Sequence, residues 1–242
     1  MSFIRFLASK ATSIVPTLCP LCDGQAKGGH LCLSCENDLL ANSLGARCSV
    51  CMLPLPLFST SCPDCAALQP AYDKIISAFD YSHPGDLLIH QFKSGGRLDH
   101  ARLLSRLLVN AIQLNKVSEL GSVVVVPIPS TAAALRRRGF NPAAELARNL
   151  ARSLRLPCRH DYLYRYPETQ AQKQLSRSQR LQEGQQRFWC QDNLPPNCIA
   201  LVDDVLTTGS TLHSAAQVLK QAGAASVIGF VAARTPYRQW LK

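Results

Sequence analysis

The chain has 242 residues, 47% of them hydrophobic, with 26 Lys and Arg against 16 Asp and Glu and a formal net charge of +10. That length and apolar content support a buried core with room for one domain and a smaller module, and no run approaches the roughly 18 apolar residues a membrane-spanning helix needs. The charge favours acidic partners, and pyrophosphate, phosphorylated sugars and nucleic acid all meet that description, so it narrows the class without choosing within it.

Residues 1–17 contain Phe3, Ile4, Phe6, Leu7, Ile14 and Val15, interrupted by Arg5 and Lys10. With no long apolar core and no small-residue cleavage site, a signal peptide is not expected here. The stretch reads as a short amphipathic helix packing on the module that follows, and a cytoplasmic protein is expected. Eight of the eleven cysteines come next in four C-x-x-C pairs: Cys19/Cys22, Cys32/Cys35, Cys48/Cys51 and Cys62/Cys65. Each pair presents two thiolates from one tight turn, and two such turns make a tetrahedral four-cysteine zinc site. Cys48 follows Cys19 by 29 positions and Cys62 follows Cys32 by 30, so two similar halves each carry a full ligand set. One zinc per half is the simplest pairing, and spacing alone does not exclude an interleaved one. Disulfides would require an oxidising compartment, and a redox site would need only one pair in a βαβ context. The first pair is followed by Asp23-Gly24, whereas Met52-Leu53 after Cys51 offers no glycine, which predicts a looser second site. His30 reads as an incidental surface residue, and Cys158, Cys190 and Cys198 as buried apolar ones.

Ile75, Ile76, Ala78 and Phe79 predict a strand. Leu87, Leu88, Ile89 and Phe92 predict a helix ending near Ser94-Gly95-Gly96, and Leu98, Leu103, Leu104, Leu107 and Leu108 a second one. Lys93, beside the glycines, suits either an anion contact or a solvated helix end. Val123–Val126 is a β-branched run of the kind found in central parallel strands, and it stops at Pro127-Ile128-Pro129-Ser130. Arg136-Arg137-Arg138 then precede a helix carrying Ala144, Leu146, Ala147, Leu150 and Leu154. Three arginines at a helix entrance oppose its dipole unless an anion compensates them, which marks them as functional. Residues 165–187 form a polar tract with no apolar period, whose length between strands indicates a lid or disorder.

The most informative stretch is Ile199-Ala200-Leu201-Val202-Asp203-Asp204-Val205-Leu206-Thr207-Thr208-Gly209-Ser210-Thr211-Leu212. It reads as a strand, a loop and a helix with Leu212, Ala215, Ala216, Leu219 and Ala222 on one stripe. Gly223 and the apolar run Val227–Val231 complete a parallel β-loop-α-β unit. Small residues let the loop fold into a nest of inward N–H groups, the helix start adds a positive dipole end, and Thr and Ser hydroxyls can donate, which together make a phosphate cradle. The paired carboxylates do the opposite job, accepting from sugar hydroxyls or attracting Mg²⁺. Neither G-x-x-x-x-G-K-[ST] nor G-x-G-x-x-G occurs to support another phosphate motif.

LVDDVLTTGST resembles the 5-phosphoribosyl-1-pyrophosphate (PRPP) signature of type I phosphoribosyltransferases. That resemblance implies that Asp203 and Asp204 hold the ribose hydroxyls, while Thr207, Thr208, Gly209, Ser210 and Thr211 hold the 5′-phosphate. Pro127, Ile128, Pro129 and Ser130 resemble the family's pyrophosphate loop, with Arg136, Arg137 and Arg138 beside it. The tract at 165–187 matches its flexible lid, in which Lys173, Arg177 and Arg180 would stabilise departing pyrophosphate. The multi-cysteine module, the V-P-I-P strand end, R-R-R-G-F-N, Thr-x-x-Gln-x-x-Leu-Ser-Arg and the closing Ala-Arg-Thr-Pro together resemble the ComF/GntX family over Cys19 to Pro236. Its members are associated with natural competence and with uptake or use of DNA. The expected fold is α/β: a type I phosphoribosyltransferase-like parallel sheet flanked by helices over 69–242, after a Cys-rich zinc module over 1–68. The expected ligands are structural zinc, PRPP with Mg²⁺, or a phosphorylated nucleoside. Two alternatives stand beside transferase activity: a non-catalytic PRPP- or nucleotide-binding adaptor docking a competence helicase, and a single-stranded DNA binder.

Overall fold

The computed structural model describes residues 15–41, 45–56, 59, 61–115, 123–167, 187–191, 194–195 and 197–236. Pro16–Leu18 (β1) and Gln25–Lys27 (β2) pair antiparallel around the first C-x-x-C, and Leu33–Ala41 (α1) carries Cys35. The second half repeats the design. An antiparallel bridge joins Arg47 to Pro54 around Cys48/Cys51, and Pro63–Leu68 (α2) carries Cys65. The bridge lies 29 positions after the Leu18–Gln25 pair of the first hairpin, so the cysteine periodicity is a periodicity of local structure.

The chain continues through Lys74–Asp80 (β3), Gly85–Ser94 (α3), Asp99–Leu114 (α4), Val123–Pro127 (β4), Ala132–Arg138 (α5), Pro142–Leu154 (α6), Tyr164–Arg165 (β5) and Phe188–Trp189 (β6). Cys198–Leu206 (β7), Ser210–Gln221 (α7) and Ser226–Arg234 (β8) follow. Strands β3, β8, β7 and β4 form, in that order, a four-stranded sheet in which every pair is parallel. Such a sheet must be covered on both faces. On one face Val123, Val125, Ala200, Val202, Phe230 and Ala232 pack with Leu104 and Leu108 of α4 and Leu146 and Leu150 of α6. On the other, Val124, Val126, Ile199, Leu201, Val227 and Val231 pack with Leu212, Ala215, Ala216 and Leu219 of α7. Alternate residues of each strand thus serve opposite cores, as a period of two requires.

The two cysteine halves divide between these cores. Cys19, Leu31 and Leu39 join the α4 side, and Cys48, Cys51 and Leu53 the α7 side, so the halves sit on opposite faces of one sheet. The strands and helices expected at 75–79, 87–94, 98–108, 123–126 and 199–231 are present. Two elements are not visible in hydropathy. Helix α5 is a short helix that buries none of its residues, and the antiparallel pair β5/β6 flanks the polar tract, with 168–186 outside the described residues. The amphipathic helix expected over 1–17 also falls almost wholly outside them. Of the three cysteines outside the C-x-x-C pairs only Cys198 is buried; Cys158 and Cys190 are half-buried.

The second half is tied to the end of β3 by a bidentate pair, Arg47 Nη1 and Nη2 donating to Asp80 Oδ1 and Oδ2 at 2.8 and 2.9 Å with both side chains nearly sealed from solvent. Asp80→Ala leaves a buried guanidinium without its carboxylate. It is expected to cost about 3–5 kcal/mol of stability, read as a fall in the urea midpoint.

Candidate functional site

Two groups of side chains stand out: the cysteine clusters and the cleft at the carboxyl ends of the sheet. The sulfurs of Cys19, Cys22, Cys32 and Cys35 lie within 4.8 Å of one another, as do those of Cys48, Cys51, Cys62 and Cys65. The halves are therefore closed separately, which removes the interleaved pairing. The Cys22–Cys32, Cys48–Cys65 and Cys51–Cys62 sulfur separations are 3.7, 3.7 and 3.5 Å. Those are too long for disulfides and close to the ~3.8 Å edge of a tetrahedron with metal–sulfur bonds of ~2.3 Å. All eight thiols thus fit two zinc ions.

The second site is no looser than the first. Cys19 N donates to Gly24 O at 2.8 Å and Asp23 N to Cys19 O at 3.0 Å; Cys48 N donates to Leu53 O at 2.9 Å and Met52 N to Cys48 O at 3.0 Å. The left-handed residue of the turn is Asp23 (φ 55) in one half and Met52 (φ 58) in the other. The position that lacks glycine in the second half is the one after it, where no left-handed conformation is required. His30, expected at the surface, is half-buried beside Arg106 and Glu36.

The cleft is built by parallel pairing of β4 with β7. Pro127 is aligned with Val202 and Ile128 N donates to Val202 O at 2.9 Å, so the Pro127–Ser130 segment leaves the sheet beside Asp203. Asn141, the N-cap of α6, braces that segment: Nδ2 donates to Ile128 O at 3.0 Å and Oδ1 accepts from Ser130 Oγ at 2.9 Å. Pro127, Pro129, Ser130 and Asn141 line a cavity of about 340 Å³ together with His160, Leu163, Tyr164, Arg165 and Trp189, which places the β5/β6 pair against the same loop. Tyr164 and Trp189 stack there at 4.2 Å between ring centres.

Asp203 and Asp204 are the sixth and seventh residues of β7 and point to opposite sides of it. Asp204 is buried and pairs with Lys93 Nζ at 2.6 Å. Lys93, offered by sequence as either an anion contact or a solvated helix end, is instead a cation held over the acidic pair from the last turn of α3. Burial and then the adjacent Asp204 carboxylate push Asp203 up to about 7, against the opposing pull of the Asp204 N–H and the Lys93 and Arg165 charges. Beyond the pair, the chain turns through Thr207 and Thr208 into α7, with Thr208 Oγ1 donating to Ser210 Oγ at 3.2 Å. Gly209, at φ 81, is the N-cap of α7, and a Cβ there would stand 2.7 Å from the Tyr72 hydroxyl, so both conformation and space demand glycine. The first-turn amides of α7 have no earlier carbonyl to bond, and Ser210 N donates to Thr208 Oγ1 at 3.5 Å.

Asp203, Asp204, Thr207–Thr211 and Pro127–Ser130 thus lie on adjacent strand ends. Lys173, Arg177 and Arg180 fall outside the described residues. Arg136, Arg137 and Arg138 require a correction. Thr131 Oγ1 caps α5 by accepting from Ala134 N at 3.0 Å, and Gly139 ends it at φ 79, so the arginines occupy the last turn of a helix and not the entrance of the next. There they complement the dipole, and the electrostatic reason for an anion beside them disappears. Sequence reasoning missed Arg234, a cation 1% exposed at the end of β8, whose Ala-Arg-Thr-Pro setting carries no charge pattern to mark it. Among the described residues no helix is long and apolar enough to cross a membrane.

No protein-family model matches the chain. It is similar to competence protein F of Haemophilus influenzae, 30% identical over 203 residues that cover 82% of this chain and 87% of that protein. It is also similar to the DNA utilization protein YhgH of Escherichia coli O157:H7, 31% identical with 91% and 98% covered, and to competence protein ComFC of Bacillus subtilis, 28% identical with 90% and 95% covered.

Metal analysis of the purified chain is expected to return two zinc ions, falling to one in Cys19→Ser with Cys22→Ser and to one in Cys48→Ser with Cys51→Ser; loss of both in either variant would contradict separate closure. For Asp203, a folded pKa raised to about 7 means that between about pH 5 and 7 the unfolded chain has lost a proton the folded one keeps, so this group's contribution to stability falls as pH rises. Asp203→Asn should accordingly gain stability relative to the parent across that window and level off above it, as followed by urea unfolding at each pH.

Proposed function

The chain belongs to the ComF family, that of competence protein F, ComFC and YhgH, and from that premise we propose that it is a phosphoribosyltransferase-like protein that binds PRPP with Mg²⁺ in the cleft and serves the handling of DNA. The observation that carries this reading is the alignment of Pro127 with Val202, because it sets a proline-stiffened turn beside an acidic pair and a Thr/Gly/Ser nest on neighbouring strand ends. A ligand with phosphate at one end, a diol in the middle and a second anionic group at the other end matches those three features in order.

In this reading the loop from Thr207 to Thr211 holds the 5′-phosphate with its amides and hydroxyls, and Asp203 and Asp204 accept from the ribose hydroxyls. Pro127–Ser130 faces the diphosphate. Mg²⁺ bound with the diphosphate neutralises part of its charge. If the cleft is catalytic, a nucleophile adds to the anomeric carbon as the bond to pyrophosphate breaks, and the electron pair leaves with pyrophosphate through an oxocarbenium-like transition state. Lys173, Arg177 and Arg180 of the lid tract would then receive that charge. Lys93 must exchange Asp204 for ligand or share it, which makes it part of the binding equilibrium. A cytoplasmic setting accompanies this reading, since it keeps eight zinc-binding thiols reduced.

The deciding experiment is a calorimetric titration with Mg²⁺ and PRPP, followed in the same sample by pyrophosphate detection over a panel of bases and amines. Binding with release would establish a transferase and name its acceptor, and binding without release would establish a sensor or adaptor for the DNA-uptake machinery. No binding would reject the cleft assignment and leave a single-stranded DNA role to be tested by salt-dependent affinity. Asp203→Asn with Asp204→Asn is expected to weaken PRPP by at least about 100-fold, two charge-assisted contacts at roughly 1.5–3 kcal/mol each, while both zinc ions stay bound.

A further inference from the structure

We propose that Arg234 is a positioning residue that couples the second four-cysteine site to the Thr207–Thr211 loop, so that metal occupancy of Cys48, Cys51, Cys62 and Cys65 and ligand occupancy of the loop stabilise each other. The inference rests on reading that loop as a phosphate site.

One guanidinium is divided between the two places. Towards the cysteines, Nε donates to Cys51 O at 3.1 Å, Nη2 donates to Asp64 Oδ2 at 2.5 Å, and Nη2 lies 4.0 Å from Cys51 Sγ. Towards the loop, Nη1 donates to Leu206 O at 3.3 Å, to Thr207 O, and to Thr235 O at 2.9 Å. A cation this buried persists only where its donors are matched and its charge is balanced. Asp64 supplies one counter-charge, and four thiolates around a divalent ion supply more.

Its effect on the loop follows from peptide geometry. In a trans peptide the carbonyl and the N–H of the next residue point in opposite directions. Leu206 O is shared with the strand ladder, where it also accepts from Thr235 N at 2.9 Å, but Thr207 O lies beyond the ladder; holding it inward on Arg234 turns the Thr208 N–H outward to the cleft, the direction a bound phosphate needs. The same side of the second half meets the loop again. Gly209 rests on the Tyr72 hydroxyl and the Leu68 side chain, and Ala71 N donates to His213 Nδ1 in α7 at 3.0 Å. The first site is directed elsewhere: its helix α1 is joined to α4 by Glu36 and Arg106 at 3.3 Å, on the opposite face of the sheet.

Coupling between sites is reciprocal, which supplies the test. Zinc release to a chromogenic chelator is followed with and without saturating ribose 5-phosphate, whose binding is measured separately by calorimetry. Of the two equivalents, one should be released at least about fivefold more slowly with ligand, the low end of ordinary coupling, and the other should be unaffected. In Arg234→Met that protection should vanish, and Arg234→Lys, which cannot reach both sides at once, should not restore it. Protection of both ions alike, or its survival in Arg234→Met, overturns the coupling. A ligand-free arm separates this from the phosphate reading: amide exchange at Thr207–Thr211 should quicken in Cys62→Ser with Cys65→Ser and stay unchanged in Cys19→Ser with Cys22→Ser. If ribose 5-phosphate fails to bind the parent chain, the phosphate reading falls and this arm still decides whether metal and loop are coupled. Equal exchange in the two cysteine variants overturns the inference outright.

Discussion

The cleft depends on the parallel pairing of β4 with β7. Parallel strands end on the same edge of a sheet, so the turn after Pro127 and the loop after Leu206 emerge together; antiparallel pairing would have separated them by the height of the sheet. The register is not fixed by β4 itself. Val123 through Val126 are identical, so a slip of one residue would cost that strand no change in what faces either core. Strand β7 breaks the tie with small Ala200 on the α4 and α6 side and larger Ile199 and Leu201 on the α7 side. Hydrogen bonds beyond the strand complete it, through Ile128 N to Val202 O and Val125 N to Pro157 O.

The electrostatics at that edge run against the character of the whole chain. A protein of formal charge +10 places two adjacent carboxylates at the centre of its cleft. The cost of holding them together is met unequally. Asp204 receives Lys93, which sits in the last turn of α3 where a cation also suits the helix dipole, and Asp203, half-buried beside it, retains a proton towards neutrality. The site is thus held nearer to neutral than its sequence implies.

Much of this architecture was legible because its signals are local. A C-x-x-C is a turn in itself, a run of β-branched residues is a strand in itself, and Asp-Asp-x-x-Thr-Thr-Gly-Ser-Thr combines a strand end, a small-residue loop and a helix start in nine residues. What stayed hidden depends on distance in sequence. Lys93 lies 111 positions before Asp204 and Arg234 lies 170 after Asp64, and nothing in either neighbourhood names its partner. Arg136–Arg138 were misread because α5 has too little apolar periodicity to be seen, which moved the arginines from the end of one helix to the start of the next. The tight second knuckle was misjudged because the residue that must adopt a left-handed conformation is Met52, a residue type that gives no such warning.

The duplicated cysteine halves show how one local fold acquires two uses. Under the repeat, Leu18 corresponds to Arg47, Ser34 to Asp64 and Asp38 to Leu68. Among the described residues those side chains of the first half make no hydrogen bond or ion pair to the sheet end, and Leu18 is 65% exposed. In the second half two have become attachments, Arg47 to Asp80 at the end of β3 and Asp64 to Arg234 at the end of β8, and Leu68 fills the space a Cβ on Gly209 of the loop would need. The metal ligands and the hydrogen bonds of the turn are common to both, so the fold of the unit does not require these three residues. What they add is orientation, pinning the second unit across the ends of β3 and β8 and behind the loop that follows β7. A small metal-stapled unit suits that task because its own stability comes from the metal and its surface is free to change.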